Sequence, residues 1–355
     1  MINYIKNYIK KKHTLYYWAL CLYKGKDREF RQFCLDYKTN PRIMHYHEYG
    51  ANNPEKNIYL IKVGNSSVGM FSLIIWTLRY LEFADKFNLT PVVSWVDEVA
   101  YFKKEGVGER KNTFEYYFTQ PREISIDEAK RSKNVAKSRQ EDRAYGAVAD
   151  SYDFTENELD RLSFIWRKYI SLQPVFEMYL NKRVSELLGK SKVIGAHVRG
   201  ADWRKMRISG HPVAATEEEY IKEIETIVEK KGYDRVFLAT DSEGTLEKFQ
   251  QIFGEKLLYF PEIKRTPKDK SSLVIFDESN DPYRLGAEIL LDAFTLAACD
   301  GLIAGVSYVS YGVQIIKKSR DEKFNYLKII DKGLQKKSNN DFKKAADKQR
   351  KALKK

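Results

Sequence analysis

Hydrophobic residues recur along this chain in two series, each a short apolar run followed by a longer stretch with apolar positions at helical spacing. In the first series IYLIKV (58–63) has the length and β-branched content of a buried strand, and GNSSVG (64–69) is a run of turn-forming residues. MFSLIIWTLRYLEFADKF (70–87) then places apolar side chains three and four residues apart, as a helix does, and PVVSW (91–95) reads as a second strand. Two strands joined through a helix run parallel. Residues 100–150 carry many charges and little periodicity. The stretch 156–188 reads as helical and is interrupted near Pro174, whose ring removes a backbone donor.

The second series begins at Val193. VIGAHVRG is strand then loop, TEEEYIKEIETIVEKKG is an amphipathic helix stopped by Gly232, and RVFLATD is a strand with a polar end. SEGTLEKFQQIFG is a helix with its own glycine stop, and KLLYF is a short strand. After a charged loop from Pro261 to Arg284, GAEILLDAFTLAAC reads as helix, DGLIAGVS as strand and YVSYGVQIIKKS as helix. The repeating β/α order predicts an α/β fold with doubly wound parallel sheets, in two Rossmann-like halves joined near residue 188. The chain thus divides into a basic, helical N-terminal segment (1–54), a first Rossmann-like unit (55–188), a second (189–330) and a Lys-rich tail (331–355).

Composition agrees with a folded protein: 355 residues, 43% hydrophobic and 14% aromatic, are ample for buried cores. Of the net charge of +13, most lies at the ends. Lys6, Lys10, Lys11 and Lys12 stand without an acid in the first twelve residues, and ten basic residues from Lys332 to Lys355 face only Asp341 and Asp347. Basic ends on a nearly neutral body suit an anionic membrane surface or plain solvation better than nucleic acid. Cys21, Cys34 and Cys299 show neither paired spacing nor a CxxC motif, so neither a disulfide framework nor a zinc site is read, and a reducing compartment fits. Residues 1–23 lack the apolar run and cleavage site of a signal peptide, and no window reaches ~18 consecutive apolar residues. The expected location is cytoplasmic, with a peripheral place at the inner face of the cytoplasmic membrane.

In doubly wound sheets ligands bind at the carboxyl ends of the strands. That rule singles out GNSSVG, HVRGADW, ATDSEG with Asp241, the helix carrying Asp292, and GVSYVS. His197 and Arg199 alternate at a strand end and share a face; Arg199 offers a planar fork for a phosphate, and Asp202 could hold its guanidinium in place. A structural ion pair is the competing reading. Ser307 stands where a helix begins, which suits a diphosphate or a plain N-cap. Asp292, inside an apolar helical run, either caps a loop or accepts hydrogen bonds from a ligand such as guanine. Gly64 and Gly69 match neither GxGxxG nor a P-loop. GxSxG, HExxH and DxD motifs are absent from the sequence, and His45, His47 and Glu48 fit a surface loop better than a metal site.

Taken in order, HVRGADWRKMRISGHP, VFLATD and ILLDAFTLAACDGLIAGVS resemble the fucosyltransferase superfamily that includes the α1,6-, the nodulation and the protein O-fucosyltransferases. The resemblance covers roughly Val193–Ile316 and, more faintly, the first strand-loop-helix and FEYYFTQP (114–121). It implies two facing Rossmann-like domains in the GT-B arrangement, and inverting transfer of fucose from GDP-fucose without a metal. Residue by residue it implies that Arg199 binds the β-phosphate, that His197 and Asp292 hold the guanosine end, and that Ser307 contacts the phosphates. Gly64 to Gly69 would approach the donor from the first domain. Gly200 replaces the family's frequent second arginine. Arg207 stands where the α1,6-enzymes carry an acidic base, so the base is sought among Glu48, Asp97, Glu98 and Glu115.

The resulting expectation is a glycosyltransferase acting on a glycan or lipid-linked glycan in bacterial surface polysaccharide assembly. An anionic membrane surface would be met through the basic ends, and neither nucleic acid nor a cofactor beyond the donor is expected. Two other readings stay open: a catalytically idle nucleotide-sugar or glycan-binding protein, and a nucleic-acid-binding α/β protein that uses the Lys-rich tail.

Overall fold

A computed structural model describes residues 46–64, 68–97, 99–139, 142–143, 152, 154–199, 209–267 and 281–336. Residues 1–45 with Cys21, Cys34 and His45, residues 65–67, Glu98, Asp202, Arg207 and residues 337–355 lie outside this description.

Among the described residues eight strands form two sheets. β1 (Ile58–Val63), β2 (Thr90–Trp95) and β3 (Val135–Lys137) make the first, in the order β2-β1-β3. β4 (Val193–His197), β5 (Arg235–Ala239), β6 (Leu257–Leu258), β7 (Gly301–Gly305) and β8 (Tyr326–Ile330) make the second, in the order β6-β5-β4-β7-β8. Every pairing is parallel. The helices are α1 (Met70–Lys86), α2 (Ile126–Ala129), α3 (Glu156–Tyr169), α4 (Pro174–Leu188), α5 (Glu217–Lys231), α6 (Glu243–Phe253), α7 (Pro282–Ala298) and α8 (Tyr308–Ser319). The expected α/β fold with parallel sheets is what the chain adopts. The 156–188 stretch breaks where proline requires: Pro174 opens α4 at its first turn, where its missing amide costs nothing.

Strands of the second sheet read as continuous apolar runs because both of their faces are covered. Along β4, Val193 and Gly195 turn toward α7 while Ile194 and Ala196 join the core under α5. β5 alternates likewise, with Phe237 and Ala239 on one side and Val236 and Leu238 on the other. The core on the α7 side is continuous with Tyr59, Ile61 and Val63 of β1, through α1, α3, α4 and α8. A shared layer of helices therefore stands between the two sheets, and this is why α1 is buried on nearly every side, from Met70 to Ala84.

Within that layer α1 and α3 are joined by a buried ion pair, Arg79 Nη2 to Glu158 Oε1 at 3.0 Å. Helix α8 crosses α1 at Gly312, where a Cβ would lie 2.1 Å from the Phe71 ring. Trp95 ties β2 to α1 by donating from Nε1 to Thr77 Oγ1 at 3.0 Å. On its outer edge β2 has no strand partner among the described residues. Two side-chain amides occupy its backbone instead: Gln120 bonds both the amide and the carbonyl of Val93, and Asn112 bonds the Val93 carbonyl and the Trp95 amide. They blunt an edge that could otherwise recruit another chain.

Three parts of this architecture depart from the sequence reading. β3 and the short α2 arise in the 100–150 stretch that shows no periodicity, since three residues of strand are too few to alternate. β8 is an edge strand with Leu327 and Lys328 exposed, so its apolar pattern is weak. The charged loop ends at Pro282 rather than Arg284, because Asp281 caps α7 by accepting from the Arg284 amide at 3.0 Å.

Gly312→Ala tests the helical layer. Replacing a helix-interior glycine gains about 1 kcal/mol in propensity, whereas forcing a methyl into a packed core costs about 1–3 kcal/mol. With Phe71 buried and in the way, overpacking wins, and thermal denaturation should show a melting point lower by a few degrees; an equal or higher one would mean that Phe71 turns aside without cost.

Candidate functional site

The order β6-β5-β4-β7-β8 reverses direction between β4 and β7, so the crevice of the second sheet opens at the carboxyl ends of those two strands. His197, the last residue of β4, pairs with Ala239 of β5 and Ala304 of β7. Val198 extends the pairing by donating to the Ala239 carbonyl at 3.0 Å. The strand end therefore carries His197 and Arg199 into the crevice beside the Asp241 loop and the β7–α8 turn.

Electrostatics shows which of these groups meet. Burial first, and then the charge of Arg199, hold the His197 imidazole down at about 4, with Asp241 pulling the other way. The ring is therefore neutral in the physiological range. Arg199 also acts on Tyr101 of the first unit, favouring its phenolate against a burial that raises it well above its ordinary value. Tyr101 is fully buried, and its hydroxyl accepts from the Met70 amide at 2.7 Å, at the start of α1. The first unit thus reaches Arg199 at the end of the GNSSVG loop. At the loop's other end Gly64 has φ +125°, and a Cβ there would meet Val99 at 2.4 Å, so glycine is required by the turn itself. Gly69 stands as the N-cap residue of α1, with open space where a Cβ would be.

Ser307 caps α8. Its Oγ accepts from the Ser310 amide at 3.1 Å and Ser310 Oγ accepts from the Ser307 amide at 3.0 Å, a reciprocal capping box. The plain N-cap reading therefore accounts for the hydroxyl. What remains for an anion is the helix end, where the early amides and the macrodipole favour negative charge.

Asp292 stands on α7. Its Oδ1 is closed to solvent and has no hydrogen-bond partner among the described residues. Burial pushes its carboxyl up to about 8, against the pull of Arg265 and with the help of Glu288, Glu262 and Asp241. Arg265 is held over the Phe260 and Ile263 carbonyls at 2.9 to 3.1 Å. Its Nε and the Thr266 Oγ1 are, like Asp292 Oδ1, buried without a partner. The segment is brought there by backbone pairing, Thr266 amide to Asp241 carbonyl at 2.8 Å and Glu243 amide to Thr266 carbonyl at 3.0 Å. Three unmet polar atoms, one on Asp292 and two on the Arg265–Thr266 segment, form a place for a ligand that carries both donors and acceptors.

Arg199 also acts on His211, which is half-buried, with Tyr152 Oη 3.2 Å from Nδ1. Tyr152 stacks on Tyr308, the first residue of α8, at 4.9 Å. Sequence reasoning noted HP only as part of a motif and passed over Tyr101, Tyr152, Arg265 and Thr266, which come from segments without periodicity. A signal for Arg265 and Thr266 existed in the polar residues that follow β6.

Of the candidate bases, Glu98 lies outside the described residues and the other three stand in different surroundings. Glu48 is exposed beside His47, which pairs with Val135 at the amino end of the first sheet, away from the crevice. Glu115 Oε2 accepts from Asn112 Nδ2 at 2.9 Å and so helps to hold the β2 edge. Asp97 is exposed just after β2, where its charge reaches Tyr116. Among the described residues no group of three or more His, Cys, Asp or Glu side chains could hold a metal ion, and no helix is long and apolar enough to cross a membrane.

No family profile and no curated protein matches the sequence. Among solved structures the chain is similar to NodZ alpha-1,6-fucosyltransferase soaked with GDP-fucose, at 15% identity and a TM-score of 0.47 over 74% of this chain and 93% of that one. It is similar to fucosyltransferase NodZ from Bradyrhizobium at 17% identity and a TM-score of 0.41, over 70% and 88% of the two chains. POFUT1 in complex with GDP-fucose aligns at 12% identity and a TM-score of 0.44, over 79% of this chain and 99% of that one. These neighbours are fucosyltransferases, the group that the sequence motifs resemble. TM-scores of 0.41 to 0.47 leave the likeness too loose to assign a role to any residue.

Asp292 sets a pH signature. Its folded-state value of about 8 lies above the ordinary 3.8, so the folded chain prefers the proton, and ionisation costs stability progressively as pH rises from about 4 to about 8. Asp292→Asn removes that cost. The unliganded variant should melt with its parent near pH 4 and several degrees above it at pH 8; a difference that does not grow with pH would show that Asp292 is ionised and satisfied in the folded chain.

Proposed function

We propose that the chain is an inverting, metal-independent glycosyltransferase that moves fucose from GDP-fucose to a glycan acceptor. The observation that carries the reading is Asp292 Oδ1, buried and unbonded beside Arg265 and Thr266, in a wall linked through Asp241 and His197 to Arg199. Guanine presents two adjacent donors, N1–H and N2–H₂, which a carboxylate accepts together, and its O6 and N7 can meet the Arg265 Nε–H and the Thr266 hydroxyl. The diphosphate then lies toward Arg199 and the amino end of α8, next to Ser307. A fixed cation and helix-end amides take up the negative charge that builds on the leaving phosphate. His197, neutral and largely enclosed, serves as a hydrogen-bonding group on the nucleoside and not as an acid. Asp202, outside the described residues, is assigned with Arg199 to the reacting centre, and Gly64 to Gly69 to the donor's approach from the first unit.

The acceptor is proposed to be a glycan or lipid-linked glycan in bacterial surface polysaccharide assembly, with the chain at the inner face of the cytoplasmic membrane. The support is the charge at the ends of the chain, where each Lys or Arg near an anionic leaflet contributes about 1 kcal/mol. An idle nucleotide-sugar-binding protein is the second reading, favoured by the engagement of Glu115 with Asn112 and by the place of Glu48 beside the amino end of the first sheet.

Thermal stabilisation by GDP, UDP, CMP, ADP and GDP-fucose, with EDTA present, tests the donor assignment. GDP and GDP-fucose alone should raise the melting point, and Arg199→Ala should lower GDP-fucose turnover by about 10²-fold or more with the fold intact. Stabilisation by every nucleotide, or by none, would refute the guanine site; GDP binding without GDP release from GDP-fucose would leave the idle protein as the answer.

A further inference from the structure

Transfer of a sugar to a hydroxyl needs a group that takes the hydroxyl's proton. Within the glycosyltransferase reading above, on which this inference rests, we propose that His211 is that general base.

The geometry around His211 is built twice over. Its backbone is clamped by the segment that leads into the tail: the Gly210 amide donates to the Gln335 carbonyl at 2.8 Å, and the Gln335 amide to the His211 carbonyl at 2.8 Å. Pro212 and Leu334 complete an antiparallel bridge. The ring is oriented separately by Tyr152, whose Oη lies 3.2 Å from Nδ1. Tyr152 is itself held by Tyr311, which donates to its carbonyl at 2.8 Å, and by its stack on Tyr308 at 4.9 Å and 25°. A base whose ring is fixed by a third group is the arrangement that nucleophile activation requires. The role of base requires the tautomer in which Nδ1–H donates to Tyr152 Oη and the lone pair lies on Nε2. Tyr308 follows Ser307 directly, so His211 is tied to the amino end of α8 on one side and feels the Arg199 charge on the other.

That placement makes the base responsive to the donor. Burial first, and then Arg199, hold the His211 imidazole below its ordinary value, so the unliganded ring is neutral but weakly basic. A diphosphate beside Arg199 offsets the positive charge, and the imidazole gains basicity when the donor is bound. In the step itself, the acceptor oxygen bonds to C1 from the face opposite the phosphate. The bond from C1 to the β-phosphate oxygen breaks, its electron pair leaving with GDP beside Arg199. The hydroxyl proton passes to Nε2 and then to water. Water can stand in for the acceptor, giving free fucose and GDP.

The test uses the whole chain and the probes GDP and GDP-fucose. The protein has five histidines, and His211→Asn identifies the His211 signal in a histidine-detected NMR titration. GDP saturation should move that signal's titration to higher pH. His211→Asn should keep GDP-induced stabilisation and lose about 10²-fold or more in GDP-fucose hydrolysis, together with the acidic limb of the pH profile. Tyr152→Phe, which keeps the ring and removes its orienting hydroxyl, should lower kcat with KM unchanged, and it serves as the test if His211→Asn does not fold. Hydrolysis at the parent rate by a GDP-binding His211→Asn protein, or a titration indifferent to GDP, would overturn the assignment. A parent chain that neither binds GDP nor hydrolyses GDP-fucose would refute the glycosyltransferase reading itself, and the base with it.

Discussion

Helix α8 has to satisfy two neighbours at once, and much of the molecule is arranged around that requirement. Its body packs on α1 and α3 of the first unit, closely enough that only a glycine fits at position 312 against Phe71. Its amino end must stand at the carboxyl end of β7, where the second sheet reverses direction. A helix held along its length by apolar contact cannot tilt or slide without opening the core. The direction of its dipole into the crevice is thereby set by packing, far more firmly than the Ser307–Ser310 capping box could set it alone.

The same layer explains how two α/β units act as one site. Tyr101 is buried in the first unit, yet its hydroxyl lies close enough to Arg199 of the second to be affected by its charge. Charges in the crevice are also arranged in opposition. Arg199 disfavours protonation of both His197 and His211, while Asp241 acts on His197 and Asp292 in the opposite sense. An unliganded site of this kind holds a cation and an unmet carboxylate apart. The proposed ligand, with donors at one end and a diphosphate at the other, would relieve both.

Legibility in the sequence followed burial. β1, β4, β5 and β7 could be read because both of their faces are covered, so their apolar residues run together. β3 could not, with three residues, nor β8, whose exposed Leu327 and Lys328 break the pattern. Among the candidate site residues, Arg199, His197, Asp292 and Ser307 could be singled out because each occupies a definite place in the β/α register. Glu115 of FEYYF was one of four candidate bases that the sequence did not rank. The fold shows it engaged with Asn112, in a latch on the β2 edge that no spacing rule announces.

By itself the sequence determined the longer elements, their parallel pairing and the strand ends that carry polar residues. These depend on local periodicity and on residues close in the chain. The tertiary structure decided which polar groups meet. Tyr101 reaches Arg199, Thr266 pairs with Asp241, and Tyr152 steadies His211 only after the helices have packed between the sheets. Such contacts depend on distances across the fold, and electrostatic and hydrogen-bond energies fall off over a few ångströms that no one-dimensional pattern encodes.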